Sequence, residues 1–442
     1  MDEYKQDRYM NLLDTIAVPE LELEHAILEG KRRAEQEARD LRLRKLKLRL
    51  ISGAMAASIV IAFIIGIRVS PVFASSLANI PVVAELVELI AGNQDKGMQD
   101  IVDNEYYEVI DQTVTKNGLE LTLKGVIVDE SGMIIYYRVA ADDAEILDRV
   151  DVRGINLLHG GKEIEAGFSY SFFHQDGEMT IEDEIRVYGE GGLDYSSKQF
   201  ELELKFTDEH ETVMTIPFEL KQPIAETKSY SIAKEVVIND QKIWIDELNI
   251  SPLRAELKLR ADESNSMRLL SIRSLELIDE HGEQWGAITN GVTATGTFDE
   301  EGYSLFIQSN YFRDPQQLTL RLGEIEALPK GEDYIEIDFE QQKILYQPSS
   351  LQGELSVTKD SISYVGSSEL NEQYKGSLFS TGIDVNGEEV YMRFGSMHSG
   401  SEYETLHRFD LEGFTNPIRF PIVSYPNFLP GSIEVDIPLV SQ

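Results

Sequence analysis

Residues 50–67 read Leu50-Ile51-Ser52-Gly53-Ala54-Met55-Ala56-Ala57-Ser58-Ile59-Val60-Ile61-Ala62-Phe63-Ile64-Ile65-Gly66-Ile67, eighteen positions without a charge, fenced by Arg49 and Arg68. At the rise of a helical residue this run spans roughly 27 Å, close to the hydrocarbon thickness of a bilayer. A helix buried in a soluble core keeps a polar face, and here only Ser52 and Ser58 are polar. The stretch predicts a transmembrane helix over 50–68, with Arg49 and Arg68 at the membrane boundaries, and it divides the chain into two unequal parts.

The flanks set the orientation. From Lys31 to Arg49 there are nine Lys or Arg against three acids, Glu35, Glu37 and Asp40, whereas the far side offers only Arg68 before turning acidic. The positive-inside bias then puts residues 1–49 in the cytoplasm and the C-terminal bulk outside, a single-pass protein of the cell membrane. A cleaved signal peptide fits badly, because a polar segment of about fifty residues precedes the apolar run. Val72-Phe73-Ala74 nevertheless has the small-residue spacing of a peptidase site, so cleavage after Ala74 stands as a minor alternative.

The charge follows the same division. Residues 1–67 hold eleven acids and eleven bases, so the other 67 acids and 29 bases carry the whole net charge of −38. So acidic a surface repels nucleic acid and anionic headgroups, and its simplest use is to keep an exported part soluble. There is no cysteine, which removes thiol catalysis, iron–sulfur clusters and Cys-based zinc sites together. A chain of 442 residues exceeds one ordinary core, so several domains are expected.

In the tail, Leu23, Ile27, Gly30, Ala34 and Leu41 fall on one stripe of a helix that begins near Pro19. The stripe is too thin for a core and is the candidate surface for a cytoplasmic partner. Leucines alternate with bases from Leu41 to Arg49, as suits a helix entering anionic lipid. Beyond the membrane, Pro81 and Gly92 mark the start and stop of a short juxtamembrane helix with Ile80, Val83, Val87 and Ile90 on one face.

From about residue 99 the period becomes two. Leu119, Leu121 and Leu123 alternate with Glu120, Thr122 and Lys124 after the turn signal Asn117-Gly118. Early hairpins recur at Gly160-Gly161, His281-Gly282 and Asn386-Gly387. Paired closing runs follow at 200–206 and 213–220, at 318–322 and 334–339, and at 418–423 and 433–439. With loops at Gln222-Pro223 and Gln347-Pro348, this predicts a mainly β chain: tandem immunoglobulin-like β-sandwiches on a single transmembrane helix with a short helical tail. The expected boundaries are 1–49 tail, 50–68 membrane helix, 69–98 juxtamembrane helix, and β domains at 99–225, 226–346 and 347–442.

Catalytic signatures are missing. The six histidines of the outer part show no His-Glu-x-x-His spacing, and there is neither a Gly-x-Ser-x-Gly elbow nor a phosphate-binding loop. Asp208-Glu209-His210 is the nearest approach to a metal cluster and reads as a solvated turn. Asp129-Glu130-Ser131-Gly132 has too few alternating oxygens for a calcium loop and reads as a β-turn; Gly189-Glu190-Gly191-Gly192 reads as a strand connection. Phe168, Tyr170 and Phe172 alternate as sandwich core does. No catalytic, metal or cofactor residue is assigned.

Several juxtamembrane runs carry a resemblance. Val69-Ser70-Pro71-Val72-Phe73-Ala74, Ile80-Pro81, Glu88-Leu89-Ile90-Ala91-Gly92, Asp95-Lys96-Gly97, and Val126 through Tyr137 together resemble bacterial membrane proteins that carry the domain of unknown function 4179. Residues 230–345 resemble, more weakly, the immunoglobulin-like domain of unknown function 5643. The first resemblance implies a Gram-positive single-pass protein encoded beside an extracytoplasmic-function sigma factor and acting as an anti-sigma regulator. It names no catalytic site. The His and Cys motif of zinc-type anti-sigma domains has no counterpart here, so sigma binding would fall to the bare tail. The expected function is therefore a membrane regulator coupling an outer domain that binds an unknown envelope ligand to a cytoplasmic sigma factor. A structural or adhesive surface protein is the alternative, and an envelope hydrolase the least favoured.

Overall fold

The computed structural model describes residues 32, 81–92, 95–172, 177–189, 191–288, 292–366, 377–379, 381–399 and 403–439. The membrane helix expected over 50–68, the boundary residues Arg49 and Arg68 and the stripe Leu23, Ile27, Gly30, Ala34 and Leu41 lie outside these residues. Among the described residues no helix is long and apolar enough to cross a membrane.

Two short helices open the described chain. The first, α1 (Pro81–Ala91), begins and ends at its sequence signals, with the Gly92 N–H closing on the Glu88 carbonyl at 2.9 Å. Its buried contacts come from Leu86 and Ile90, whereas Val83 and Val87 of the expected face are only half buried. A second helix, α2 (Lys96–Asp103), overlaps the start of the period-two pattern expected from about residue 99. Asp95 caps it, accepting from Gly97 N at 2.7 Å and Met98 N at 3.3 Å, and Met98 and Ile101 are buried one turn apart. The β period therefore begins at Glu108 and not at 99.

From there the chain is mainly β and its sheets are antiparallel. The first unit stacks a five-stranded sheet (Glu108–Lys116, Leu119–Asp129, Gly132–Ala141, Thr180–Tyr188, Gly167–Tyr170) on a four-stranded one (Lys162–Glu163, Val152–His159, Gln199–Phe206, Val213–Glu219). Asn117 and Gly118 both take positive φ, as a two-residue hairpin requires. Leu119, Leu121, Leu123, Met133, Ile135 and Tyr137 face the inner core, where Phe200, Leu202 and Leu204 meet them from the opposite sheet. The outer face of the same strands is buried as well: Ile127, Ile134 and Tyr136 lie under Leu86, Ile90, Met98 and Ile101 of the two helices. Gly125 allows this cover, because a Cβ there would stand 2.4 Å from Leu86 Cδ2 and 2.5 Å from the Glu108 carbonyl oxygen.

The second unit packs a five-stranded sheet (Lys228–Ile238, Gln241–Ile250, Ala255–Ala261, Gly302–Ile307, Ala294–Thr297) against the strands Gln284–Trp285, Leu275–Asp279, Leu318–Leu322, Met267–Ile272 and Ile325–Pro329 around buried Trp285. Here the structure departs from the expected boundary at 346/347. Strand Phe428–Leu429 pairs with Ile325–Pro329, and Ile433–Asp436 pairs with Leu318–Leu322, so the C-terminal segment completes the second unit. Conversely, Tyr334–Asp338 and Lys343–Tyr346 join an eight-stranded sheet with the strands of the expected third unit. The third unit is thus inserted into the second. Its end strands, Lys343–Tyr346 and Glu354–Val357, lie alongside each other, which brings the sheet near closure around Ile335, Ile337, Ile362, Tyr364, Phe379 and Phe420. The runs 334–339 and 433–439 have the same alternating pattern, and alternation marks a buried face without saying which core buries it.

Candidate functional site

The acidic and glycine-rich turns are occupied by local structure. Asp208 closes its own loop by accepting from Thr212 N and Oγ1, both at 2.5 Å. Gly192 N bonds the Gly189 carbonyl at 3.1 Å, a strand connection. Phe168 and Phe172 pack against the first core, and Tyr170 is exposed. Among the described residues no group of three or more His, Asp or Glu side chains could hold a metal ion.

The place where chemistry-bearing groups converge is the junction of the two helices with the first and second β units. Its apolar base is a small core of Leu86, Ile90, Met98, Ile101, Ile127, Ile134 and Tyr136, into which the second unit inserts Leu253. Phe312, also from the second unit, packs on Tyr106 with ring centroids 5.4 Å apart. The Tyr106 hydroxyl donates to the Val128 carbonyl at 2.6 Å and accepts from Ala225 N at 3.1 Å, which ties the linker between units to the first sheet.

Asp129 is the hinge point of the polar contacts. Its Oδ1 accepts from Ser131 N at 2.8 Å, Ser131 Oγ at 2.7 Å and Gly132 N at 3.1 Å, so the expected β-turn forms. Its Oδ2 reaches across the junction and accepts from Leu253 N at 2.7 Å. Beside it the Glu130 carboxylate accepts from Thr227 N at 2.8 Å. Asp129 is wholly buried, and burial pushes its carboxyl above the ordinary range against the pull of these donors and of Arg254.

Two buried guanidinium groups face this carboxylate region. Arg254 lies between the rings of Tyr188 and Phe306, at 4.0 and 3.8 Å from their centroids, and burial lowers its pKa. Arg186 Nε bonds Glu184 Oε1 at 2.6 Å, with both side chains largely buried. Burial likewise raises Asp95, partly countered by the Met98 and Gly97 N–H groups. On the outer side, Lys124 Nζ meets Glu85 Oε2 at 2.5 Å and holds the Glu85 carboxyl below its usual range.

Helix α2 also reaches the second unit directly. Arg313 grips Asp100 with two bonds of 2.7 and 2.9 Å, and Lys96 Nζ donates to the Gln284 carbonyl at 2.8 Å. Gly97 sits so close that a Cβ would lie 2.9 Å from Ser309 N. This arrangement offers no convergent nucleophile, base and oxyanion donors; it can fix one body against another and pass displacement between them. The pairs that build it are separated by 124 and 213 positions along the chain. Only the Asp95-Lys96-Gly97 run and the Asp129 turn gave any signal in the sequence.

No curated protein matches the chain. Among solved structures, a conserved domain protein from Bacillus anthracis is similar at 16% identity and a TM-score of 0.37, over 54% of this chain and 84% of that one. The cycloalternan-forming enzyme from Listeria monocytogenes in complex with pentasaccharide substrate is similar at 9% identity and a TM-score of 0.14, over 67% of this chain and 29% of that one. Family models match two regions that meet at the junction, and the chain carries a domain of unknown function, DUF4179, over residues 44–141 and a domain of the family of unknown function DUF5643 over residues 227–347.

Proposed function

We propose that this chain is a membrane-anchored regulator. Residues 50–68 cross the cell membrane, residues 1–49 hold a cytoplasmic partner, and the β units, built on immunoglobulin-like sandwiches, bind a ligand at the envelope. The observation that carries this reading is the junction. Helices α1 and α2 follow the apolar span at a short distance in sequence, and they pack into a core shared with both the DUF4179 and DUF5643 regions. A mere tether needs no such core, because a flexible linker would serve. The resemblance of residues 69–140 to anti-sigma-like membrane proteins supports a sigma factor as the cytoplasmic partner, bound along Leu23, Ile27, Gly30, Ala34 and Leu41. No nucleic acid, cofactor or catalytic step enters the proposal.

The test is a pull-down with residues 1–49 together with transcription measured in a deletion strain. Recovery of a sigma factor, with raised transcription of its targets on deletion, is the expected result. If no transcription factor is recovered and sigma-dependent transcription is unchanged, the reading fails. A structural or adhesive surface protein is then favoured, and in that case replacing residues 1–40 by an unrelated polar sequence leaves the phenotype intact.

A further inference from the structure

Helix α2 is held in two unlike ways. Toward the first unit its contacts are apolar, Met98 and Ile101 against Ile127, Ile134 and Tyr136. Toward the second unit it adds to the shared contact with Leu253 two polar ones, Asp100 to Arg313 and Lys96 to the Gln284 carbonyl, beside a close approach of Gly97 to the Ser309 backbone. Apolar burial survives small displacements because it is non-directional, whereas charge-assisted hydrogen bonds weaken within about an ångström and exchange readily with water. At the polar contacts the helix can therefore part from the second unit while the apolar core it shares with the first unit and Leu253 holds.

We propose that the polar face of α2 is a releasable clamp on the second unit, and that its opening is the step by which the second unit signals toward the membrane. This rests on the regulatory reading above and names its moving part. Arg313 is half exposed while Asp100 is buried on α2, so the fork can be withdrawn into water from the second-unit side without opening the apolar core. Lys96 and the Asp100 partner of Arg313 bracket the first turn of α2, and Gly97 lies between them where the backbones touch. The turn around Asp129 is the second attachment, through Leu253 N and, from Glu130, Thr227 N. With Leu253 and the Tyr106–Phe312 contact it stays in place as the pivot when the clamp opens.

The test is amide hydrogen exchange on the full chain in detergent, comparing the native protein with Arg313→Ala and with Arg313→Ala/Lys96→Ala. The expected result is about two- to fivefold faster exchange over 96–103 in the single variant and more in the double, the range of a partly exposed ion pair. Amides at 202–204 and 257–259, in the two neighbouring cores, stay protected. Unchanged exchange over 96–103 in the double variant overturns the clamp, and so does loss of protection at 202–204 and 257–259, which would make these side chains supports of the fold. Exchange needs no cytoplasmic partner, so a failed pull-down with residues 1–49 leaves this result standing and the reverse also holds.

Discussion

Ile437 lies five residues from the chain end, is 5% exposed, and packs in the core of the second unit with Val435. Its N–H bonds the Leu318 carbonyl at 2.8 Å, extending the pairing of Leu320 with Val435 and Leu322 with Ile433. Ile437→Ala removes a buried side chain and leaves a cavity that the sheet can only partly close, a cost of about 2–4 kcal/mol. Both tryptophans of the chain, Trp244 and Trp285, belong to the second unit, and Trp285 is buried in the same core. Tryptophan fluorescence in urea therefore reports the second unit, and with an ordinary slope the midpoint falls by about 1–2 M. Amide exchange at 362–364 and 418–420 follows the third unit in parallel. A fluorescence midpoint that does not move, with protection lost only at 362–364 and 418–420, would refute the inserted arrangement.

Three further outcomes follow from the junction. Gly125→Ala forces a Cβ against Leu86 and the Glu108 carbonyl and is expected to cost about 1–3 kcal/mol, seen as faster exchange over 82–91. Lys124→Met is expected to change stability by less than about 1 kcal/mol in thermal unfolding, because Lys124 is buried while its partner Glu85 is half exposed and can turn to water. Burial raises the Asp129 pKa above 3.8, so the folded state favours the protonated form. The groups facing it are Arg254, Tyr106, Tyr195 and Tyr311. Its contribution to stability is therefore full below 3.8 and lost as pH rises through the raised value, and the native protein gains on Asp129→Asn as pH falls. Urea midpoints for the two proteins that run parallel from pH 7 to pH 4 would contradict this.

How much was legible beforehand depends on the range of the interaction. The hairpin at Asn117-Gly118, the start of α1 at Pro81 and its stop at Gly92, and the alternating runs that became strands are consequences of φ preferences and side-chain period, which a few neighbouring residues determine. Helix α2 is not legible in the sequence because eight residues with Met98 and Ile101 as their apolar pair make too short a pattern to separate from a strand. The sequence marks Asp129 as a turn residue, and the role of its second oxygen is not legible there because its donor, Leu253 N, comes from a distant segment.

The sequence by itself therefore determined an apolar span with its charge asymmetry, a mainly β remainder and the absence of thiol chemistry, since these depend on composition and local period. Tertiary structure alone decided that residues 433–436 complete the second unit, that the third is inserted within it, and that Asp100, Asp129, Arg254 and Arg313 meet at one junction. The pairings of 318–322 with 433–436, of Asp100 with Arg313 and of Asp129 with Leu253 join residues a hundred or more positions apart, and their partners are selected by which surfaces can exclude water together, a property of the packed chain and not of any one segment of it.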